Sequence, residues 1–282
     1  MYVSMKGMLE RANEGKYAVM AINCFNLETA KAVIQAAQEL RAPIIIDLYQ
    51  DHLKEHLGSN ILTNPIIQMA NEASVEVAIN LDHGQDIGFV KRCLQDGFSS
   101  VMMDASAYPI DQNIEITRNM VEFAQTYNAS VEAEIGNIGT ASNIMTSDMY
   151  TDPELAIDFV KKTGVDALAI SYGSSHGNYP EGFLHEFRFD ILEKIKQETN
   201  IPLVLHGGSG CGEDNIRKSV ELGINKINVG SDFMKVQVDC IRYQLDRDPT
   251  INYVDLIHST IEAGKEAVKY YINLSKSTGK SL

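Results

Sequence analysis

Three histidines stand where apolar runs end: His83 in Asn80-Leu81-Asp82-His83-Gly84, His176 in Ser174-Ser175-His176-Gly177, and His206 in Leu203-Val204-Leu205-His206-Gly207-Gly208. Imidazoles so far apart in sequence converge only if the segments before them are neighbours in a closed or tightly wound sheet. Converging, they offer three neutral nitrogen ligands and leave the fourth position of a tetrahedral zinc open, as a catalytic site requires. Asp82 directly precedes the first of them. A carboxylate there either exchanges a proton with substrate beside the metal or caps a helix. Asp104 and Glu134, at the ends of two further runs, are candidates for a second metal position or for hydrogen bonds that steady the histidines. Glu132 shares Glu134's face by two-residue periodicity, without a role of its own. His52, His56, His185 and His258 lack such context and read as surface residues.

The elements that must position these groups are visible as eight short apolar runs, at 18–23, 44–48, 75–81, 100–103, 130–135, 167–171, 202–206 and 225–229. They are apolar almost throughout, as parallel strands covered on both faces are. Helical patterns lie between them, at 28–40, 86–95, 114–127, 153–162, 190–198 and 213–222, and a long helix is expected over 253–273. Acidic residues at 152–154 and 212–214 mark helix starts. Strand–helix units in series predict an α/β fold, a (β/α)8 TIM barrel, with residues 1–282 as a single domain ending in an extended C-terminal helix. The competing open doubly wound sheet lacks its nucleotide fingerprint here.

A barrel demands chemistry at the C-terminal ends of its strands. Those ends carry Asn23, Asp47, Asp82 with His83, Asp104, Glu132 and Glu134, Ser171, His206 and Asn228, so none is bare. Two glycine-rich turns, Gly207-Gly208-Ser209-Gly210 and Asn228-Val229-Gly230-Ser231-Asp232, follow the last two strands. Barrels often bind phosphate at this place, through backbone N–H groups that small residues leave accessible.

Composition narrows the partners. A net charge of −14 argues against nucleic acid and anionic membranes. No apolar run approaches the roughly 18 residues needed to cross a bilayer. The first residues carry mixed charges and no apolar signal region, so a cytoplasmic location is expected. Cys24, Cys93, Cys211 and Cys240 form no CxxC pair and read as small buried hydrophobes.

Taken together, the residues resemble the class II, zinc-dependent ketose-bisphosphate aldolases, a family that includes fructose- and tagatose-bisphosphate aldolases. The likeness runs from Ala21-Ile22-Asn23 to Asp232 and more loosely beyond. It is most specific in Leu81-Asp82-His83-Gly84, Val131-Glu132-Ala133-Glu134-Ile135-Gly136, Ser175-His176-Gly177, Pro202-Leu203-Val204-Leu205-His206-Gly207-Gly208-Ser209 and Lys226-Ile227-Asn228-Val229-Gly230-Ser231-Asp232. The resemblance implies reversible aldol cleavage of a phosphorylated ketose to dihydroxyacetone phosphate and an aldehyde. It implies zinc on His83, His176 and His206, stabilising an enediolate as a Lewis acid. Asp82 would move the proton of the aldehyde oxygen. Gly177, Gly207, Gly208, Ser209, Asn228, Gly230 and Ser231 would bind phosphate and flank the enediolate, with Asn23 at the hydroxyl end. A homodimer or homotetramer and a monovalent cation near the phosphate are further implications.

Departures from the family pattern are equally informative. Asn80 stands where relatives have His in His-x-Asp-His, and Tyr49 where they have Ser, which narrows the pocket. Asn178-Tyr179-Pro180-Glu181 replaces a lysine after the His-Gly-x-Tyr motif by an acid. The stretch 136–143 has no carboxylate to act at C3 of dihydroxyacetone phosphate, leaving Asp148 or Asp152 to swing in. For a distal phosphate, Lys265 and Lys269 are the nearby cations. Two other readings stay open: another zinc-dependent barrel enzyme, such as a hydrolase, and a metal- and sugar-phosphate-binding barrel without turnover.

Overall fold

In a computed structural model, described for residues 1–139, 149–177, 179 and 186–282, eight parallel strands close into a barrel in chain order. They are β1 (Val19–Asn23), β2 (Ile44–Tyr49), β3 (Val77–Gly84), β4 (Ser100–Met103), β5 (Ser130–Ile135), β6 (Ala167–Ile170), β7 (Leu203–Leu205) and β8 (Ile224–Val229). β1 pairs with β2 on one side and with β8 on the other, Asn23 opposite Asp47 and Ala21 opposite Asn228, which closes the sheet. The barrel expected from the alternation of runs is therefore the fold observed.

Most of the helices lie in the connections: α2 (Leu27–Leu40), α3 (Gln50–Glu55), α4 (Ser59–Glu72), α5 (Ile87–Gln95), α6 (Ile110–Gln125), α7 (Pro153–Thr163), α8 (Phe189–Thr199) and α9 (Glu213–Leu222). Capping defines their starts. Asn26 forms a capping box with Thr29, and Asp152 accepts from the backbone N–H groups of Glu154 and Leu155 at 2.8 and 3.3 Å. After β8 come α10 (Ser231–Arg247) and α11 (Tyr253–Leu274). No helix among the described residues is long and apolar enough to cross a membrane.

Two-residue periodicity splits each strand between two cores. Met20, Ile22, Ile44, Ile46, Val77 and Ile79 face outward into the layer of helices. Val19, Ala21, Ile45, Ala78, Ala167, Ala169 and Val204 face the barrel axis, where small side chains leave room for a plug. The plug is α1 (Met5–Gly15), a helix not among those expected from the strand–helix alternation. Its Met5, Met8, Leu9 and Ala12, at i, i+3, i+4 and i+7, are fully buried against the axial core. Each of the larger ones contributes about 1.5–3 kcal/mol of burial. With the N-terminal end stoppered, the opposite mouth is left for polar side chains.

Candidate active site

β3 delivers two neighbouring residues to that mouth, which an ideal strand cannot do because successive side chains alternate faces. The strand continues past residue 81, where the apolar run ends, and its register against β4 shifts between Leu81 and Gly84. His83 adopts the left-handed region at φ 48°. That conformation costs a non-glycine residue about 1–3 kcal/mol and is held only where its surroundings enforce it. It turns the His83 ring inward beside Asp82. Gly84 permits the bend, since a Cβ there would lie 2.5 Å from the Met102 carbonyl oxygen.

The three histidine rings meet. Ring centroids of His83 and His176 lie 4.7 Å apart, those of His83 and His206 4.8 Å, and those of His176 and His206 5.6 Å. His83 Nε2 and His206 Nδ1 face each other at 3.1 Å. The rings compete for protons. Burial and the neighbouring rings push His176 down to about 3 and His206 well below its ordinary value. Against its own burial, His83 is raised to about 10 by Asp82 and Asp104. Of the three rings, His83 is the one that keeps its proton.

Two of the three rings have a carboxylate at the outer nitrogen. His83 Nδ1 donates to Asp104 Oδ2 at 3.0 Å, and His206 Nε2 donates to Glu132 Oε1 at 2.7 Å in a fully buried contact. Carboxylates placed like this fix the tautomer and aim the remaining nitrogen, the pattern that accompanies metal-binding histidine. Asp104 also accepts from Ser106 and from Gln85 Nε2, so both its oxygens are engaged. Although buried, it is held well below the usual carboxylate range by His83 and these donors. Asp104 thus supports a histidine rather than joining the ring nitrogens. Glu134 does join them: it offers a ligand atom within 4.8 Å of those of His83, His176 and His206. Its Oε2 is buried without a hydrogen-bond partner among the described residues. Burial and the Asp104 charge raise it to about 8. Three imidazole nitrogens and one orphaned carboxylate oxygen, supported from behind, fit a borderline divalent cation such as zinc.

Asp82 is clasped from both sides of the barrel seam. Asn23 Nδ2, from the end of β1, donates to its Oδ2 at 2.7 Å, and Asn228 Nδ2, from β8, to its Oδ1 at 3.1 Å. Burial alone would raise its pKa, but His83, His206 and Lys226 hold it below the ordinary range. Lys226 is fully buried on the axial face of β8. Its Nζ donates to Asn228 Oδ1 at 2.6 Å and lies 2.9 Å from Glu132 Oε2 and 3.6 Å from Asp47 Oδ2. Asn80 completes the cluster, donating to Asp47 Oδ1 at 2.8 Å. One buried ammonium thereby connects the carboxylate behind His206 with the amide that holds Asp82. Motif reading gives Lys226, Glu132 and Asn80 no such function; the signal was polar or charged residues two apart on otherwise apolar strands, Asn80 with Asp82, Glu132 with Glu134 and Lys226 with Asn228.

A cavity of about 910 Å³ opens above these groups. Asn23, Gly177, Gly207, Ser209, Asn228, Gly230 and Ser231 line one side of it, around the N-terminus of α10. Gly208 does not line it: its N–H donates to the Asn228 carbonyl at 2.9 Å, and it packs against Ile227 and Val229 of β8. Tyr49 and Gln85 line the other side, with His52, which is half-buried rather than a surface residue. His56 and His258 are exposed, as expected. Lys265 and Lys269 lie away from the cavity, paired with Glu39 on α2; the lining cations are Lys235 and Arg242 on α10. Asp152 is occupied as the cap of α7. Asp148, Asn178, Pro180, Glu181, His185 and residues 140–143 lie outside the described residues. Cys24, Cys93 and Cys211 are buried and Cys240 is half-buried, all as free thiols.

Fold and site together define a closed parallel barrel whose mouth holds a buried carboxylate, Asp82, beside a group of three histidines and Glu134 that could hold a metal ion. Residues 3–280 match the family model described as fructose-bisphosphate aldolase class-II. A fructose-bisphosphate aldolase of Geobacillus stearothermophilus is 37% identical over 271 residues, covering 95% of this chain and 93% of its own. A 6-phospho-5-dehydro-2-deoxy-D-gluconate aldolase of Halalkalibacterium halodurans is 37% identical over 286 residues, covering 99% and 98%. The crystal structure of the YdjI aldolase from Escherichia coli K12 superposes with a TM-score of 0.89 at 28% identity over 100% of both chains. The chain belongs to the class II fructose-bisphosphate aldolase family and is an aldolase, a carbon–carbon lyase.

Proposed function

We propose that the protein reversibly cleaves a phosphorylated ketose to dihydroxyacetone phosphate and an aldehyde, with a divalent metal held by His83, His176 and His206. The observation that carries this reading is the meeting of those three rings, and of Glu134, beside Asp82. A bound zinc would supply Lewis-acid polarisation of the ketose carbonyl. In cleavage Asp82 accepts the proton of the C4 hydroxyl, and in condensation it returns that proton to the aldehyde oxygen. Asn23 and Asn228, donating to its two oxygens, keep it ionised and aimed. Gly177, Gly207, Ser209, Gly230 and Ser231 hold the phosphate at the N-terminus of α10, where backbone N–H groups and the helix dipole favour an anion. Asp104 and Glu132 keep the histidines in register.

The proton at C3 of dihydroxyacetone phosphate is left to Asp148 or Asp152, of which Asp152 uses one carboxylate oxygen as the cap of α7. The carboxylate-free stretch 136–143 favours a second reading, a barrel that binds sugar phosphates without turnover. On the first reading the protein works in the cytoplasm as a homodimer or homotetramer, with a monovalent cation beside the phosphate. The test is a coupled assay of dihydroxyacetone phosphate release from a ketose phosphate panel, run on zinc-loaded and chelator-stripped protein. Release only by the loaded form is expected. Full activity in protein shown to be metal-free would overturn the mechanism, and tight binding of a dihydroxyacetone phosphate analogue without any cleavage would favour the second reading.

A further inference from the structure

Resting on the aldolase reading, we infer that the substrate is a ketose 1-phosphate whose aldehyde half carries no phosphate. The phosphate side of the cavity is built from the ends of β6, β7 and β8 and the start of α10. A ketose extending from there across the histidines reaches the ends of β2, β3 and β4, on the far side of the barrel. That end is lined by Tyr49, His52, Gln85 and Ser106.

These groups suit neutral hydroxyls and not a second dianion. Carboxylates stand directly behind them: Gln85 and Ser106 donate to Asp104, and the Tyr49 hydroxyl donates to Asp51 at 3.1 Å. A phosphate placed there would meet like charge with no fixed cation, whereas phosphate sites recruit arginine or lysine. Among the described lining residues the only lysine and arginine are Lys235 and Arg242. Both sit on α10, and both are turned to the same carboxylate, that of Asp239. In the single chain their side chains are 65% and 73% exposed, and both lie on the phosphate side's own helix rather than at the far end. Residues 140–148, 178 and 180–185 contain no lysine or arginine in sequence, so they add no permanent cation.

In place of charge, the far end offers an aromatic wall with hydrogen-bonding edges. Tyr49 and His52 meet edge to face at 5.1 Å, and Phe25 meets His52 at 5.4 Å. His52 Nδ1 is buried without a hydrogen-bond partner among the described residues.

The experiment compares matched pairs on the zinc-loaded full chain: fructose 1-phosphate with fructose 1,6-bisphosphate, and the same two forms of tagatose. Both kcat/KM and the calorimetric Kd are measured for each. Both measures are expected to favour the 1-phosphate, kcat/KM by about tenfold or more, and His52→Arg, which adds a cation, is expected to cut that preference by a similar factor. Equal or better binding and cleavage of the bisphosphates by the unmodified protein would overturn the inference. Cleavage of no ketose would instead sink the aldolase reading, and the Kd values would still decide between one phosphate and two.

Discussion

At the scale of single residues, Glu132 governs the site without reaching the cavity. It holds His206 through one oxygen and faces Lys226 with the other, and all three are fully buried. Its charge fixes which imidazole nitrogen carries the proton and therefore which one faces the cluster. Replacing such a partner typically lowers metal affinity by about 10–100-fold. Glu132→Gln is therefore expected to weaken zinc binding within that range, read by chelator competition, while circular dichroism stays native. Unchanged affinity would show that His206 is aimed by packing alone. His83 teaches a related point about reading residues from sequence. Its place after an apolar run is legible, but strand alternation would send it away from Asp82. Only the positive φ and the shifted register bring both to one mouth. Lys226 is less legible still, because its partners come from β2, β5 and its own strand and have no common motif.

At the scale of elements, the strands could be read from sequence because parallel strands under helices must be apolar along their length. Helices α1, α3, α4 and α10 could not be read as easily. α1 precedes the alternation that reveals a barrel, and α3 and α4 share one connection, between β2 and β3. Farther from the site, Lys196 on α8 ties the lower ends of two strands together. Its Nζ donates to the Ile201 carbonyl at 2.9 Å and to Asn225 Oδ1 at 2.7 Å, bonds that a neutral amine keeps. Burial pushes its pKa from 10.5 down to about 7. Between those values the unfolded chain binds the proton and the native one releases it, so stability rises with pH across the window. Below about 7 both states are protonated and the cost of the buried ammonium is present in full. Urea unfolding at neutral and mildly alkaline pH is expected to show this rise in the unmodified protein and to lose it in Lys196→Met. Parallel pH dependence in the two proteins would assign the effect elsewhere.

At the scale of the whole molecule, α10 and the start of α11 form a hairpin with little of its own to pack against. Of the 17 residues of α10, Phe233 alone is buried among the described residues. Tyr243 is 61% exposed, Tyr253 75% and Val254 58%. Apolar surface gathered in this way marks an interaction face, and a second copy of the chain is the occupant that the homo-oligomer reading requires. Light scattering on the purified protein is expected to give a dimer or larger, and the double variant Tyr243→Glu with Tyr253→Glu a monomer. A monomeric unmodified protein would remove the hairpin from that role.

The seam where the first and last strands meet has its own consequence. Asn23 and Asn228 stand on either side of it and grip one carboxylate between them. A chain lacking its final stave, or one whose ends have not yet joined, would leave Asp82 with half its grip. If Asp82 carries the proton as proposed, its aim is tied to completed closure, and a partly assembled cylinder, however helical, holds that carboxylate only loosely until the circle is shut.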